Sequence, residues 1–409
     1  MKSVIRMDEI NNKTLAVKGF RNIFLLGLVS FFTDLSTEMV APLVTIYLST
    51  FATVAIIGII EGITESITAI LKSYSGYIGD KFSNKKILAI FGYSSTVVYK
   101  IMLFFSFGWV GVLFAKLIDR IGKGIRTAPR DALLAESSNG QFGKAFGFHK
   151  MMDMLGSAFG ILFSIVIIYL LLGSNVTLLS TADFKTIFLL SIIPALAGLF
   201  ALIFVKETKH RKNELKKFSL KGIHLEKGLI FYLLVIFIFS IGNSSNAFLV
   251  LRVKEIGFST LDVLWMYLIY NVVSSIVSYP LGKLSDLIPR RKLVIPGYIL
   301  YAFVYFGIAL TQSKIWLYVL FGIYGIFQAI IAGSEKAYIT EISPKDLKGT
   351  VLGLYGTAQG LGLFLASFLG GWLWVKVSPE STFYFGGLVG LLAAIALAFV
   401  FKIKRSSLE

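Results

Sequence analysis

Gly76-Tyr77-Ile78-Gly79-Asp80-Lys81-Phe82-Ser83-Asn84-Lys85-Lys86 joins two long apolar stretches. Its outline returns 206 residues later as Gly282-Lys283-Leu284-Ser285-Asp286-Leu287-Ile288-Pro289-Arg290-Arg291-Lys292. Gly76 and Gly282, Asp80 and Asp286, and Lys86 and Lys292 occupy equivalent positions. A polar turn repeated at a fixed distance between apolar spans marks a chain built from two similar halves. The repeat runs further. Arg130 falls on Lys336, Gly147 on Gly353, Asp153 on Gln359 and Gly156 on Gly362 at the same 206-residue offset. Nearer each half's start the offset is 209, which places Asp34 on Asn243 and Thr37 on Asn246.

The apolar stretches are membrane spans. Of 409 residues, 56% are hydrophobic and only 15% charged, a balance that no soluble domain carries. A helix crosses a bilayer with about 20 apolar residues. Twelve segments meet that length: roughly 22–48, 53–78, 87–107, 109–132, 145–172, 184–205, 229–251, 259–284, 293–311, 315–340, 349–375 and 382–402. The first 21 residues are polar and precede a full-length span, so no cleavable signal peptide is expected. This predicts an all-α membrane protein of two six-helix bundles: 1–205, a linker at 206–227, and 228–409.

The net charge of +17 sits mainly in alternate loops, which is the positive-inside pattern and not a nucleic-acid footprint. Lys81, Lys85, Lys86, Arg290, Arg291, Lys292 and the basic linker fall on one side. Both termini are therefore expected on the cytoplasmic side of a prokaryotic cell membrane. The chain has no cysteine, which excludes disulfides and thiolate metal sites. No cofactor is expected, no catalytic spacing or phosphate loop is evident, and the chain reads as a non-enzyme and a monomer.

Charged side chains inside spans are costly, so they mark a water-filled path, a relay or a paired network. The first half holds many, at helical spacing. Span one carries Asp34, Thr37 and Glu38. Span two carries Glu61 and Glu65. Span four carries Lys116, Asp119, Arg120, Lys123, Arg126 and Arg130, and span five carries Asp153. Spacings of three and four place each set on one helix face. At about 1.5 Å per residue, Asp34, Glu65 and Arg120 lie about 16–20 Å inside their spans, near the midplane. Asp34, Glu38, Glu65 and Arg120 are thus candidates for a proton-coupling centre. Asp34, Thr37, Asn243 and Asn246 are candidates for substrate contact. Glu61, Lys116, Asp119, Lys123, Arg126, Arg130 and Asp153 form a secondary polar stripe. A structural salt-bridge network is the alternative for Asp34, Glu38 and Arg120, and snorkelling toward the inner surface is the alternative for Lys123 and Arg130.

The duplicated turn resembles the signature of the major facilitator superfamily, and the likeness covers essentially the whole chain. Ser83 and Asn84 depart from that signature, where glycine and arginine are usual. The resemblance implies alternating access, with Gly76, Asp80, Lys81, Lys85, Lys86, Gly282, Asp286 and Arg291 forming a gating motif. Arg120-Ile121-Gly122-Lys123-Gly124 is similar to the Arg-xx-Gln-Gly motif of proton-coupled exporters, in which the arginine takes part in coupling. Lys123 stands where that motif has glutamine. Arg126-Thr127-Ala128-Pro129-Arg130-Asp131, Phe32-Thr33-Asp34 and Gly242-Asn243 resemble a prokaryotic branch of the superfamily. The resulting expectation is proton-coupled export of a small molecule. The rivals are a divalent-metal exporter using Asp34, Glu38, Asn243 and Asn246, and a membrane sensor without transport.

Overall fold

A computed structural model describes residues 2–81, 85–138, 142–173, 179–207, 226–289, 291–343 and 348–406. Among them every regular element is a helix. Before the linker these are α1 (Lys2–Ser49), α2 (Val54–Lys81), α3 (Lys85–Phe105), α4 (Gly108–Ser137), α5 (Phe142–Leu172), α6 (Thr181–Leu190) and α7 (Ile192–Ile203). After it come α8 (Lys227–Gly242), α9 (Ala247–Glu255), α10 (Thr260–Leu287), α11 (Arg291–Leu310), α12 (Lys314–Ile342), α13 (Lys348–Lys376) and α14 (Pro379–Ser406). Paired as α6–α7 and α8–α9, they make twelve crossings in two six-crossing bundles.

Two crossings are broken for local chemical reasons. Pro194 has no N–H to give the carbonyl four residues earlier. That carbonyl belongs to Leu190, and the helix parts at the next residue, Ser191, whose own carbonyl accepts from Ser36 Oγ at 2.6 Å. The break between α8 and α9 is Asn243-Ser244-Ser245-Asn246, four residues whose side chains compete for backbone groups. Backbone freed in a membrane must find partners. Here Tyr301 donates to Gly242 O at 2.7 Å and Ser245 N–H donates to Ser367 Oγ at 3.3 Å.

Among the described residues, eleven crossings are long and apolar enough to span a membrane, and α4 is not one of them. Its charges are tolerated because α1, α2, α3 and α5 pack around it and Lys116, Asp119 and Arg126 are buried. The larger apolar core draws on both halves and contains stacked tyrosine and phenylalanine rings. One stack is Phe239 on Tyr298, with centroids 3.9 Å apart.

The halves meet chiefly through α2 against α13 and α5 against α10. Contact of α2 with α13 is backbone to backbone. A Cβ on Gly58 would collide with Ser367 O, and one on Gly371 would sit 2.9 Å from Ala55 Cα. Glycine lets the helices close to this distance.

Gly76, Asp80 and Lys81 fall in the last turns of α2, Gly282 and Asp286 in those of α10, and Arg291 opens α11. Their side chains, like Lys336 and linker residues 208–225, lie outside the described residues. Lys85 and Lys86 are described. Lys85 forms an ion pair with Glu136 of α4, and Lys86 Nζ donates to Ile203 O at 2.6 Å.

Candidate functional site

A cavity of about 360 Å³ opens between the halves. The first half contributes Thr37 and Glu38 from α1, Glu61 and Glu65 from α2, Tyr99 from α3, and Lys116, Asp119, Arg120 and Lys123 from α4. The second half contributes the whole 243–246 break, Tyr267, Tyr270 and Asn271 of α10, and Tyr324 and Gln328 of α12.

The two walls differ in chemistry. The first is ionic and largely neutralised in pairs. Arg120 Nη2 lies 2.9 Å from Glu65 Oε1, and Lys116 pairs with Glu61. Asp119 accepts from Thr96 Oγ1 at 3.0 Å, and Arg126 donates to that same hydroxyl at 2.7 Å. Arg126 also stacks over the Tyr93 ring at 4.4 Å. Among the described residues, Glu38 and Lys123 face the cavity without an ion pair or side-chain hydrogen bond. They are electrostatic neighbours of one another across the cavity wall, without a direct bond between them.

The second wall is uncharged. Gln328 Nε2 donates to Tyr324 OH at 3.0 Å, and Tyr324 OH donates to Asn246 Oδ1 at 2.8 Å. Tyr267, Tyr270 and Asn271 share a face of α10 because they are three and four residues apart. The rings of Tyr267 and Tyr270 meet edge to face, 5.6 Å apart. Glu61 also reaches across, accepting from Ser245 Oγ at 3.3 Å.

Sequence reasoning placed Asp34 with Glu38, Glu65 and Arg120. The structure brings Thr37, Glu38, Glu65, Arg120, Asn243 and Asn246 together on one cavity, and sets Asp34 apart. Asp34 lies against α5, where its carboxyl hydrogen-bonds that of Asp153. Ser30 Oγ donates to Asp153, and Lys150 Nζ lies 3.6 Å from it. Of the secondary stripe, Glu61, Lys116, Asp119 and Lys123 reach the cavity. Arg126, Arg130 and Asp153 do not, and Arg130 pairs with its neighbour Asp131 at 2.8 Å.

Tyr99, Ser244, Ser245, Asn271 and Gln328 were not singled out by the sequence. The last three are polar residues within a turn or so of Asn246, Tyr270 or Tyr324, which was their only signal. Among the described residues no three His, Cys, Asp or Glu side chains converge in a way that could hold a metal ion.

Comparison with known proteins agrees with this architecture. The family model for the Major Facilitator Superfamily matches residues 26–264 and 231–409. The MFS-type transporter MJ1317 of Methanocaldococcus jannaschii is 34% identical over 387 residues, covering 93% of this chain and 95% of that protein. The inner membrane transport protein YajR of Escherichia coli is 24% identical over 410 residues, covering 95% and 83% respectively. The fold is also that of a D-xylose–proton symporter, with a TM-score of 0.71 at 16% identity, covering 92% of this chain and 97% of that one. The nucleoside transporter NupG scores 0.75 at 10% identity, covering 93% and 100%. With its two bundles, central cavity and family-wide match, this chain is a multi-pass membrane transporter, not an enzyme, and belongs to the Major Facilitator Superfamily.

Proposed function

We propose that the protein is a secondary active exporter of a small molecule, driven by exchange with protons through alternating access. The observation that carries this reading is Glu38, a carboxylate on the inter-half cavity that has Lys123 and Arg120 as electrostatic neighbours but, among the described residues, no ion pair or side-chain hydrogen bond. Such a group is open to a proton in one state and to substrate in the other. Asp34, one turn before Glu38 on α1, faces Asp153 of α5, and these two carboxyls offer a second, internal proton position. Arg120 beside Glu65 is the cation whose movement toward or away from Glu38 tunes proton affinity, because a nearby positive charge favours the ionised carboxylate. The uncharged tyrosine and asparagine wall suits apolar or hydrogen-bonding substrate surface.

In the same reading, residues 1–205 and 228–409 rock as two bodies joined by a cytoplasmic linker, 206–227. Asp80 and Asp286 latch the gate, and the monomer is the working unit in a prokaryotic cytoplasmic membrane.

The test begins with thermal stabilisation of purified protein across a panel of drugs, metabolites and divalent metals. A ligand at a hundred times its dissociation constant adds about 2.7 kcal/mol. The best stabiliser is then assayed in proteoliposomes with an imposed pH gradient. Uptake that follows the gradient and is lost in Glu38→Gln is expected. Gradient-independent flux, or stabilisation only by divalent metals, overturns the proton-coupled reading.

A further inference from the structure

The second half contains a buried carboxylate that the cavity does not use. Glu335 of α12 is 1% exposed. It accepts from Tyr298 OH of α11 at 2.6 Å, Tyr355 OH of α13 at 3.0 Å and Gln359 Nε2 of α13 at 3.3 Å. Gln359 Nε2 also donates to Tyr355 OH at 2.7 Å, closing the ring of donors. Tyr232 of α8 is an electrostatic neighbour, and its buried hydroxyl has no hydrogen-bond partner. No described lysine, arginine or histidine pairs with Glu335. At the cavity, by contrast, Glu61 and Glu65 are each paired with a cation.

A carboxylate buried among neutral donors is poised between two states. Three donors stabilise the ionised form, and burial opposes it. Protonation changes the hydrogen-bond arithmetic. The acid must itself donate, one of the donors loses its acceptor, and the Tyr232 hydroxyl is an unused acceptor close by. The cost of that change falls on α13, which supplies two of the three donors. Gly360, next to Gln359, carries the carbonyl that accepts from Ser66 Oγ of α2 in the other half. A shift of Gln359 is therefore transmitted directly to the contact between the halves.

We infer that Glu335 is a proton-binding site in the second half, taking up and releasing a proton as α13 moves relative to α11 and α12. The site stands on its own geometry and does not depend on the coupling role proposed for Glu38.

Infrared difference spectroscopy of the purified full-length protein in lipid tests it directly. As pH falls, the wild type gains a carbonyl band of a protonated carboxyl, and Glu335→Gln lacks that component. Tyr298→Phe and Tyr355→Phe keep the carboxyl but remove one donor each from its ionised form. Each is expected to move the midpoint of the band upward by about one pH unit. These two variants carry the test even if Glu335→Gln does not fold. A band that does not change with pH, one unaffected by Glu335→Gln, or midpoints unmoved in both phenylalanine variants overturns the proposal. Repeating the titration in Glu38→Gln separates the two sites: the Glu335 component remains there even if the cavity carboxylate plays no part in coupling.

Discussion

Arg120 and Glu65 form a 2.9 Å ion pair that ties α4 to α2 on the cavity wall. Their side chains are 19% and 32% exposed, so the pair is neither a surface bridge nor fully dry. Breaking an exposed pair costs at most about 1 kcal/mol, and leaving one partner of a buried pair alone costs about 3–5 kcal/mol. Arg120→Gln is expected between these limits, measured as a lowered midpoint in thermal unfolding. A charge reversal, Glu65→Arg with Arg120→Glu, separates structure from coupling. If the pair only holds helices together, the double variant regains both stability and transport. We expect stability to return and gradient-driven transport to stay lost.

Lys116 and Glu61 are buried more deeply, at 8% and 4% exposure. Glu61→Gln strands an ammonium and also disturbs the bond from Ser245 across the cavity. Destabilisation of about 3–5 kcal/mol is expected, with low recovery of monodisperse protein on size exclusion. Replacing both partners with Met and Leu should restore most of that recovery.

The facing carboxyls of Asp34 and Asp153 give the coupling reading a specific test. Asp34→Asn supplies a permanent N–H donor to Asp153. The variant is expected to fold and bind substrate with wild-type stabilisation, while transport no longer responds to an imposed pH gradient. Wild-type gradient dependence in both Asp34→Asn and Glu38→Gln ends the coupling reading.

Gly58 sits where α2 touches Ser367 and Gly371 of α13. A leucine at this point cannot be accommodated without parting the helices, and overpacking costs typically about 1–3 kcal/mol. Because the contact is between halves, the strain falls on this arrangement and not on either bundle. Gly58→Leu should therefore give protein of near-normal abundance, with a longer distance between spin labels on α2 and α13.

Orientation follows from the basic loops. A single cysteine at Lys216 in this cysteine-free chain is expected to react with an impermeant maleimide only after cell lysis. Labelling of intact cells reverses the assignment of the termini.

Much of this was legible in the chain itself. Spans, their number and the two-fold repeat follow from hydropathy and from the recurrence of Gly76–Lys86 at Gly282–Lys292, because insertion into lipid is decided segment by segment. The α8–α9 break was not read from the sequence, which gave one span at 229–251; the tertiary structure shows it, with Tyr301 donating to the Gly242 carbonyl. Depth along a helix was readable, since each residue advances about 1.5 Å. Which partner each polar group meets was not. Asp34 and Glu38 are one turn apart on α1, yet Glu38 faces the cavity and Asp34 faces Asp153 on α5. Glu335 lies in the last turns of α12, and its cage of Tyr298, Tyr355 and Gln359 comes from two other helices. The sequence by itself determined a two-bundle membrane transporter fold with a polar first half. Only the tertiary structure decided which carboxylates are paired or caged, because helix rotation and inter-helix packing bring together side chains with no sequence relation.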